Sequence, residues 1–148
     1  MSRSRQRPVV PARKTYFLDS EPLSRLVRGQ RAMRALVQAA SGLDIAVATT
    51  ALTTVEAWDP RAGAQATALW DWALSRVAVV HTDDELIATT RSRLRDTGLH
   101  GHKYAIDAVL AAAALAAQAR GDQVTVFTSD VDDLTKLLAG APIRIEPV

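Results

Sequence analysis

The feature that most constrains the fold is the alternation of short apolar segments with longer amphipathic ones along the chain. The apolar segments are rich in β-branched and aromatic residues, which predicts strands. They cover residues 15–19, 45–49, 77–81, 124–128 and 143–146. Between them, apolar side chains recur at helical spacing. This alternation predicts βαβ units, and therefore an α/β sandwich built on a parallel sheet.

The starts of the helices are predicted from their capping residues. Ser20 is expected to cap the first helix, because its hydroxyl can accept a hydrogen bond from a backbone N–H of the first turn. Thr53 with Glu56, and Thr82 with Glu85, have the spacing of capping boxes and predict two further helix starts. The segments predicted as helices are residues 20–29, 30–40, 53–58, 61–76, 82–98, 104–120 and 130–139.

The composition excludes several classes of protein. The chain has 148 residues, of which 48% are hydrophobic, so it is long enough for one domain and too apolar for a disordered chain. It has no cysteine, which excludes disulfides, zinc–thiolate sites and thiol nucleophiles. Residues 105–119 are apolar but too short for a membrane span, and no secretory signal pattern is present. We therefore expect a cytoplasmic protein that does not associate with membranes.

The basic residues are unevenly distributed. Residues 1–14 hold five of the eighteen lysines and arginines and no acid, whereas residues 15–148 hold thirteen basic and sixteen acidic residues. We therefore predict a flexible basic N-terminal arm over residues 1–14 and a single domain over residues 15–148. Because that domain is mildly acidic, it is not expected to bind nucleic acid through a general basic patch.

Four acidic residues from distant parts of the sequence are predicted to lie at one edge of the sheet. Asp19 ends the first strand and Asp130 follows the fourth, so both fall at the carboxyl ends of parallel strands, where α/β folds bind ligands. Glu56 is expected to open the helix after the second strand, and Asp107 to lie in the first turn of the long helix. The sequence therefore predicts a cluster of carboxylates.

Such a cluster is costly without a counter-charge. Two carboxylates about 4 Å apart repel each other by roughly 4 kcal/mol at an effective dielectric constant near 20. Protons, arginines or a divalent ion relieve this repulsion, and a ligand set made of oxygen alone favours Mg²⁺ or Mn²⁺. Each acid also has a purely structural interpretation as a cap or strand-end residue. Asp107 fits that interpretation worst, because the residues around it are apolar.

With these four positions in place, the sequence resembles the PIN-domain ribonuclease family, and most closely its VapC-type toxins. The resemblance runs from Thr15 to Glu146 and rests on four segments. They are YFLDSEPLS at residues 16–24, LTTVEAW at 52–58, KYAIDAVLAAAAL at 103–115 and VFTSDVDDL at 126–134. The resemblance implies a three-layer α/β/α sandwich with a central parallel sheet, and endonucleolytic cleavage of RNA that depends on Mg²⁺ or Mn²⁺.

The resemblance also implies roles for the acidic residues. Asp19 and Asp107 correspond to the main metal ligands, bound directly or through water. Glu56 completes the first metal site. Asp130, with Asp133 behind it, supports the site or a second metal ion.

Two hydroxyl residues accompany these acids. Ser20 and Thr128 lie beside them in the sequence and are expected to orient a carboxylate or a water, although a role as cap or turn residues is an equal alternative. Family members often have asparagine at the position of Ser20 or of Asp130. The choice between one and two metal ions therefore stays open.

The partners implied by the resemblance are an RNA substrate, a cognate antitoxin protein and a second copy of the chain in a homodimer. The alanine- and tryptophan-rich helix at residues 61–76 is the expected dimer face. A further basic stretch could guide RNA phosphate, bind an acidic segment of a partner, or be a solvated helix face. It consists of Arg25, Arg28, Arg31 and Arg34.

Two alternatives within the fold stay open: a PIN nuclease of RNA processing that is not a toxin, and a PIN-like module without activity. A phospho-receiver is disfavoured, since Asp19 is followed by Ser20 rather than an acid and Lys136 lies within a predicted helix. A haloacid-dehalogenase-type phosphatase needs Asp-x-Asp, and the third position here is Glu21. The sequence also has no glycine-rich phosphate-binding loop.

Overall fold

Five strands form one sheet in the computed structural model, which describes residues 11–61 and 63–148. The strands are β1 (Lys14–Leu18), β2 (Ala46–Thr50), β3 (Ala78–Val80), β4 (Gln123–Thr128) and β5 (Arg144–Pro147). Their order across the sheet is β3-β2-β1-β4-β5, and every neighbouring pair is parallel. The predicted strands and the predicted parallel sheet are therefore confirmed, each strand within a residue or two.

Helices cover both faces of the sheet. They are α1 (Ser20–Val27), α2 (Arg31–Gly42), α3 (Ala51–Glu56), α4 (Gly63–Arg76), α5 (Asp84–Thr97), α6 (Gly101–Ala119) and α7 (Val131–Leu137). Neighbouring residues of a strand point to opposite faces, so Leu18 joins the buried cluster formed with α1, α2 and α4, and Phe17 the cluster formed with α5, α6 and α7. This is the three-layer α/β/α sandwich with a central parallel sheet that the sequence predicts.

Alanine allows α6 to lie close to the sheet. Ala108, Ala111, Ala112 and Ala114 have no exposed surface, and α6 contacts β1, β2 and β4. Side chains this small let the helix backbone approach the strands without leaving cavities. The close packing places the first two turns of α6 beside the carboxyl end of β1.

Three predicted helix starts are wrong by one or more residues. Helix α1 is capped by Asp19, not by Ser20. Helix α3 is capped by Thr50, whose hydroxyl accepts the N–H of Thr53, so β2 runs directly into α3 and Glu56 ends this helix instead of opening it. Helix α5 is capped by the carboxylate of Asp83 in place of Thr82. In two of these cases a carboxylate replaces the expected hydroxyl, consistent with its greater strength as an acceptor.

The long helix α6 starts three residues earlier than predicted. The carbonyl of His100 accepts the N–H groups of Lys103 and Tyr104 at 3.1 and 3.0 Å, which extends the helix back to Gly101. Asp107 therefore lies in the second turn, not the first. The His100 side chain makes no capping hydrogen bond, so no residue type marks this start in the sequence.

The predicted basic arm, residues 1–14, lies mostly outside the described residues, and β1 begins within it at Lys14. Across residues 11–61 and 63–148, no helix combines the length and the hydropathy needed to cross a membrane.

Candidate metal site

Asp19 lies at the carboxyl end of the central strand and is 1% exposed. Its Oδ1 accepts the backbone N–H of Ser20 at 2.8 Å, and its Oδ2 accepts the hydroxyl of Thr128 at 2.7 Å. Its own backbone N–H donates to the carbonyl of Phe127 at 3.0 Å. The carboxylate is therefore held from both neighbouring segments, the start of α1 and the end of β4.

Thr128 connects Asp19 to the start of α7. Its hydroxyl accepts the backbone N–H of Asp130 at 2.8 Å while it donates to Asp19. Asp130 occupies the cap position of α7, but its side chain makes no capping hydrogen bond. The carboxylate of Asp130 is thus left available at the edge of the sheet where Asp19 lies.

Glu56 reaches the same edge from α3, a six-residue helix that contacts both α1 and α6. Fully buried threonine hydroxyls hold the start of this helix. The hydroxyl oxygens of Thr50 and Thr53 are 2.7 Å apart, and the hydroxyl of Thr49 donates to the carbonyl of Leu18 at 2.8 Å. The Thr49 bond joins the end of β2 to the end of β1, and the contact between Thr50 and Thr53 holds the first turn of α3. They therefore define the position from which α3 presents Glu56.

Asp107 completes the group from α6. One carboxylate oxygen each from Asp19, Glu56 and Asp107 lies within 4.8 Å of the other two. Asp19 is buried, Asp107 is half-buried and Glu56 is exposed. The three residues come from three separate elements. A single ion bound among these oxygens is compatible with this spacing.

The electrostatics of the group reflect burial and like charge. Burial raises the pKa of Asp19, an effect opposed by the hydrogen bonds from Thr128 and Ser20. Burial, followed by the negative charges of the neighbouring carboxylates, raises the pKa of Asp107 to about 7. Those carboxylates belong to Asp19, Glu56, Asp130 and Asp133. A bound cation would lower the pKa of both acids, because it favours their ionised forms and so opposes the effects of burial and of like charge.

A cleft of about 440 Å³ opens onto this group. It is lined by Glu56, Asp107, Asp130 and Asp133, together with residues 102–106 at the start of α6. Seven residues were singled out from the sequence. The structure brings carboxylate oxygens of three of them within 4.8 Å of one another: Asp19, Glu56 and Asp107. Two more, Asp130 and Asp133, line the cleft beside this group. Thr128 contacts Asp19 by its hydroxyl, and Ser20 by its backbone N–H.

Sequence reasoning missed two groups of residues at this site. Thr49 and Thr50 end β2, and Thr53, expected only as a helix cap, lies in the first turn of α3; the two pairs of threonines in an otherwise apolar segment are the signal that could have found their buried hydroxyls. The second is the start of α6: Lys103, expected before the helix, lines the cleft from its first turn, beside His102.

The basic stretch predicted on the first two helices is partly neutralised. Arg25 and Arg28 both pair with Glu21, at 3.0 and 3.5 Å, and Arg34 stacks on the ring of Trp72 at 4.9 Å. In the helix predicted as a dimer face, Trp70 is buried and packs against Trp58, which is 55% exposed.

The fold and this group of acids define a class: a three-layer α/β/α domain with a carboxylate cluster at the carboxyl edge of its parallel sheet. No family model matches the sequence, and no curated protein does. A solved structure does match, a chain from the crystal structure of VapBC2 from Rickettsia felis bound to a DNA fragment from their promoter. The match has a TM-score of 0.65 at 14% identity and covers 90% of this chain and 98% of that chain. The resemblance to VapC-type PIN domains thus extends to the fold.

Proposed function

We propose that this chain is an endoribonuclease that depends on Mg²⁺ or Mn²⁺ and acts as the toxin of a toxin–antitoxin pair. The observation that carries the proposal is the convergence of Asp19, Glu56 and Asp107 within 4.8 Å. The convergence lies at the ligand-binding edge of a fold shared with a chain of VapBC2. The four sequence segments that resemble VapC-type toxins contain these three acids and Asp130.

The residues present fit a hard divalent cation. Asp19, Glu56 and Asp107 offer only carboxylate oxygens, and neither histidine nor cysteine belongs to this group. Such a set favours Mg²⁺ or Mn²⁺ over zinc. The raised pKa of Asp107 and of Asp19 supports the assignment, because a cation stabilises buried carboxylates that are otherwise costly to ionise together.

The chain's own residues orient the ligands and surround the substrate. When bound, the metal ion supplies an activated water and neutralises charge on the phosphodiester. Thr128 and the N–H of Ser20 hold the two oxygens of Asp19 in fixed directions. Asp130 and Asp133 border the cleft and support this site or a second ion.

A protein partner follows from the same proposal. The matched structure is a VapBC2 complex with promoter DNA, which supports a cognate antitoxin for this chain. A homodimer through α4 is part of the proposal, with Trp58 and Leu74 as exposed apolar residues on or beside that helix. A PIN nuclease of RNA processing is distinguished by the absence of an antitoxin gene next to its own.

Cleavage of total RNA by the purified protein tests the proposed activity. The wild type, Asp107→Asn and Asp71→Asn are compared with Mn²⁺, with Mg²⁺ and with EDTA; Asp71 is an exposed carboxylate on α4 and serves as the matched control. We expect discrete fragments that require metal, persist in Asp71→Asn and vanish in Asp107→Asn. Equal cleavage by Asp107→Asn and the wild type would indicate a contaminant and contradict the assignment. Absence of both cleavage and metal-induced stabilisation would instead support a PIN-like module without activity.

A further inference from the structure

Lys103 lines the acidic cleft beside the candidate metal site. It lies in the first turn of α6, and Asp107 follows it by four residues, so the two side chains leave the same face of the helix. Its side chain is exposed. Among the described residues lining this cleft, Lys103 supplies the only permanent positive charge, facing the carboxylates of Glu56, Asp107, Asp130 and Asp133.

The ammonium of Lys103 is not engaged by those carboxylates. Within residues 11–61 and 63–148, the ion pairs involve other cations, and none includes Lys103. Its Nζ lies instead 5.1 Å from the centre of the Tyr104 ring. A lysine that remains unpaired in an acidic cleft keeps its N–H donors available for another anion.

We propose that Lys103 binds a phosphate of the RNA strand that enters the cleft, an inference that rests on the proposed function. An RNA strand is repelled by a cleft lined with acids. A single ion bound by Asp19, Glu56 and Asp107 still leaves the carboxylates of Asp130 and Asp133 beside the strand. The ammonium of a lysine has no lone pair, so it cannot coordinate a metal. It can donate hydrogen bonds to phosphate oxygens, and its flexible side chain lets it follow the position of the phosphate.

RNA affinity measured over a range of salt concentrations tests this role. A fluorescent single-stranded RNA is titrated, without metal, with full-length protein carrying Asp107→Asn, so that no cleavage occurs. This protein is compared with versions that also carry Lys103→Ala, Lys103→Arg or Lys136→Ala. Lys136 is the matched control, an exposed lysine on α7 that does not line the cleft.

We expect Lys103→Ala to weaken binding at low salt by roughly 10-fold, the effect of losing one charge-assisted hydrogen bond. The slope of log affinity against log salt should become shallower by about 0.7, the value for one phosphate contact in single strands. Lys103→Arg should recover the slope, and Lys136→Ala should leave it unchanged. In the active protein, Lys103→Ala should raise KM far more than it lowers kcat.

Two results would overturn the proposal. One is the same affinity and slope for Lys103→Ala and Lys136→Ala. The other is an unchanged salt slope together with a smaller Mn²⁺-induced rise in Tm when Lys103→Ala is made in the wild-type protein, where Asp107 is intact; this would mean that the lysine acts on the metal ligands. Failure of the proposed function has a separate signature, absence of cleavage by the wild type with Mn²⁺. The binding comparison still decides the role of Lys103 in that case, because it requires no turnover.

Discussion

The hydroxyl of Thr128 donates a 2.7 Å hydrogen bond to Oδ2 of Asp19, a residue 109 positions earlier in the chain. The bond crosses from the end of β4 to the end of the central strand β1, where Leu18 is aligned with Phe127. Both residues are buried, so the bond acts on a carboxylate that water cannot solvate. Thr128 therefore stabilises the ionised form of an acid that burial alone would favour as neutral.

Thr128→Val should destabilise the metal-free protein. The substitution keeps the shape of the side chain but removes the donor to Asp19 and the acceptor for the N–H of Asp130. We expect the free energy of unfolding to fall by about 1–3 kcal/mol at neutral pH, measured by urea denaturation. Thr128→Ser keeps the hydroxyl and should retain most of the stability. A valine variant as stable as the wild type would show that the hydrogen bond contributes nothing to the fold.

The stability of the metal-free protein should depend on the ionisation of Asp107. Its pKa is raised from 3.8 to about 7, so between these values the folded protein binds a proton that the unfolded chain has released. The free energy of unfolding therefore decreases as pH rises through this window. Asp107→Asn removes this contribution. We expect the variant to gain stability over the wild type at pH 8 and much less at pH 5, both measured by urea denaturation in EDTA.

An equal difference between Asp107→Asn and the wild type at the two pH values would contradict this prediction. Asp71→Asn, on the exposed face of α4, is the control for a general effect of removing one negative charge. It should change stability little at either pH, because surface substitutions away from specific contacts have small effects.

Mn²⁺ should stabilise the folded protein through the three clustered carboxylates. An ion that binds only the folded state adds about 2.7 kcal/mol of stability at a concentration 100 times its Kd. We therefore expect a rise in Tm with Mn²⁺ that is lost in Asp19→Asn, Glu56→Gln and Asp107→Asn, and kept in Asp71→Asn. Calorimetry with and without EDTA provides the measurement. A full Mn²⁺-induced rise in Glu56→Gln would remove Glu56 from the ligand set.

Much of the site follows from sequence because it depends on local features. Asp19 directly follows β1 and Asp130 lies two residues past the end of β4, so the direction of parallel strands is enough to place both at one edge. The hydrogen bond between Thr128 and Asp19 also requires β4 to lie next to β1. That adjacency is a property of strand order, which no local pattern encodes.

The errors in the site arise where the chain gives no local signal. Glu56 was predicted to open its helix, but β2 passes into α3 without a loop and Thr50 is the cap. The start of α6 has no capping side chain, which concealed the position of Lys103 in the cleft. Glu56 still joins the cluster, because α3 packs against α6, a tertiary contact that compensates for the wrong helix start.

Thr50→Val should weaken both the fold and the metal site, because Thr50 caps the helix that carries Glu56. The substitution removes the acceptor for the N–H of Thr53 and the hydroxyl contact with its side chain, at a cost of about 1 kcal/mol. We expect lower stability in urea and a smaller Mn²⁺-induced rise in Tm, both restored by Thr50→Ser. Thr54→Val is the control, since among the described residues the hydroxyl of Thr54 bonds only to the carbonyl of Ala51 in the same helix. If Thr50→Val lowers stability but leaves the Mn²⁺ response intact, the position of Glu56 does not depend on this cap.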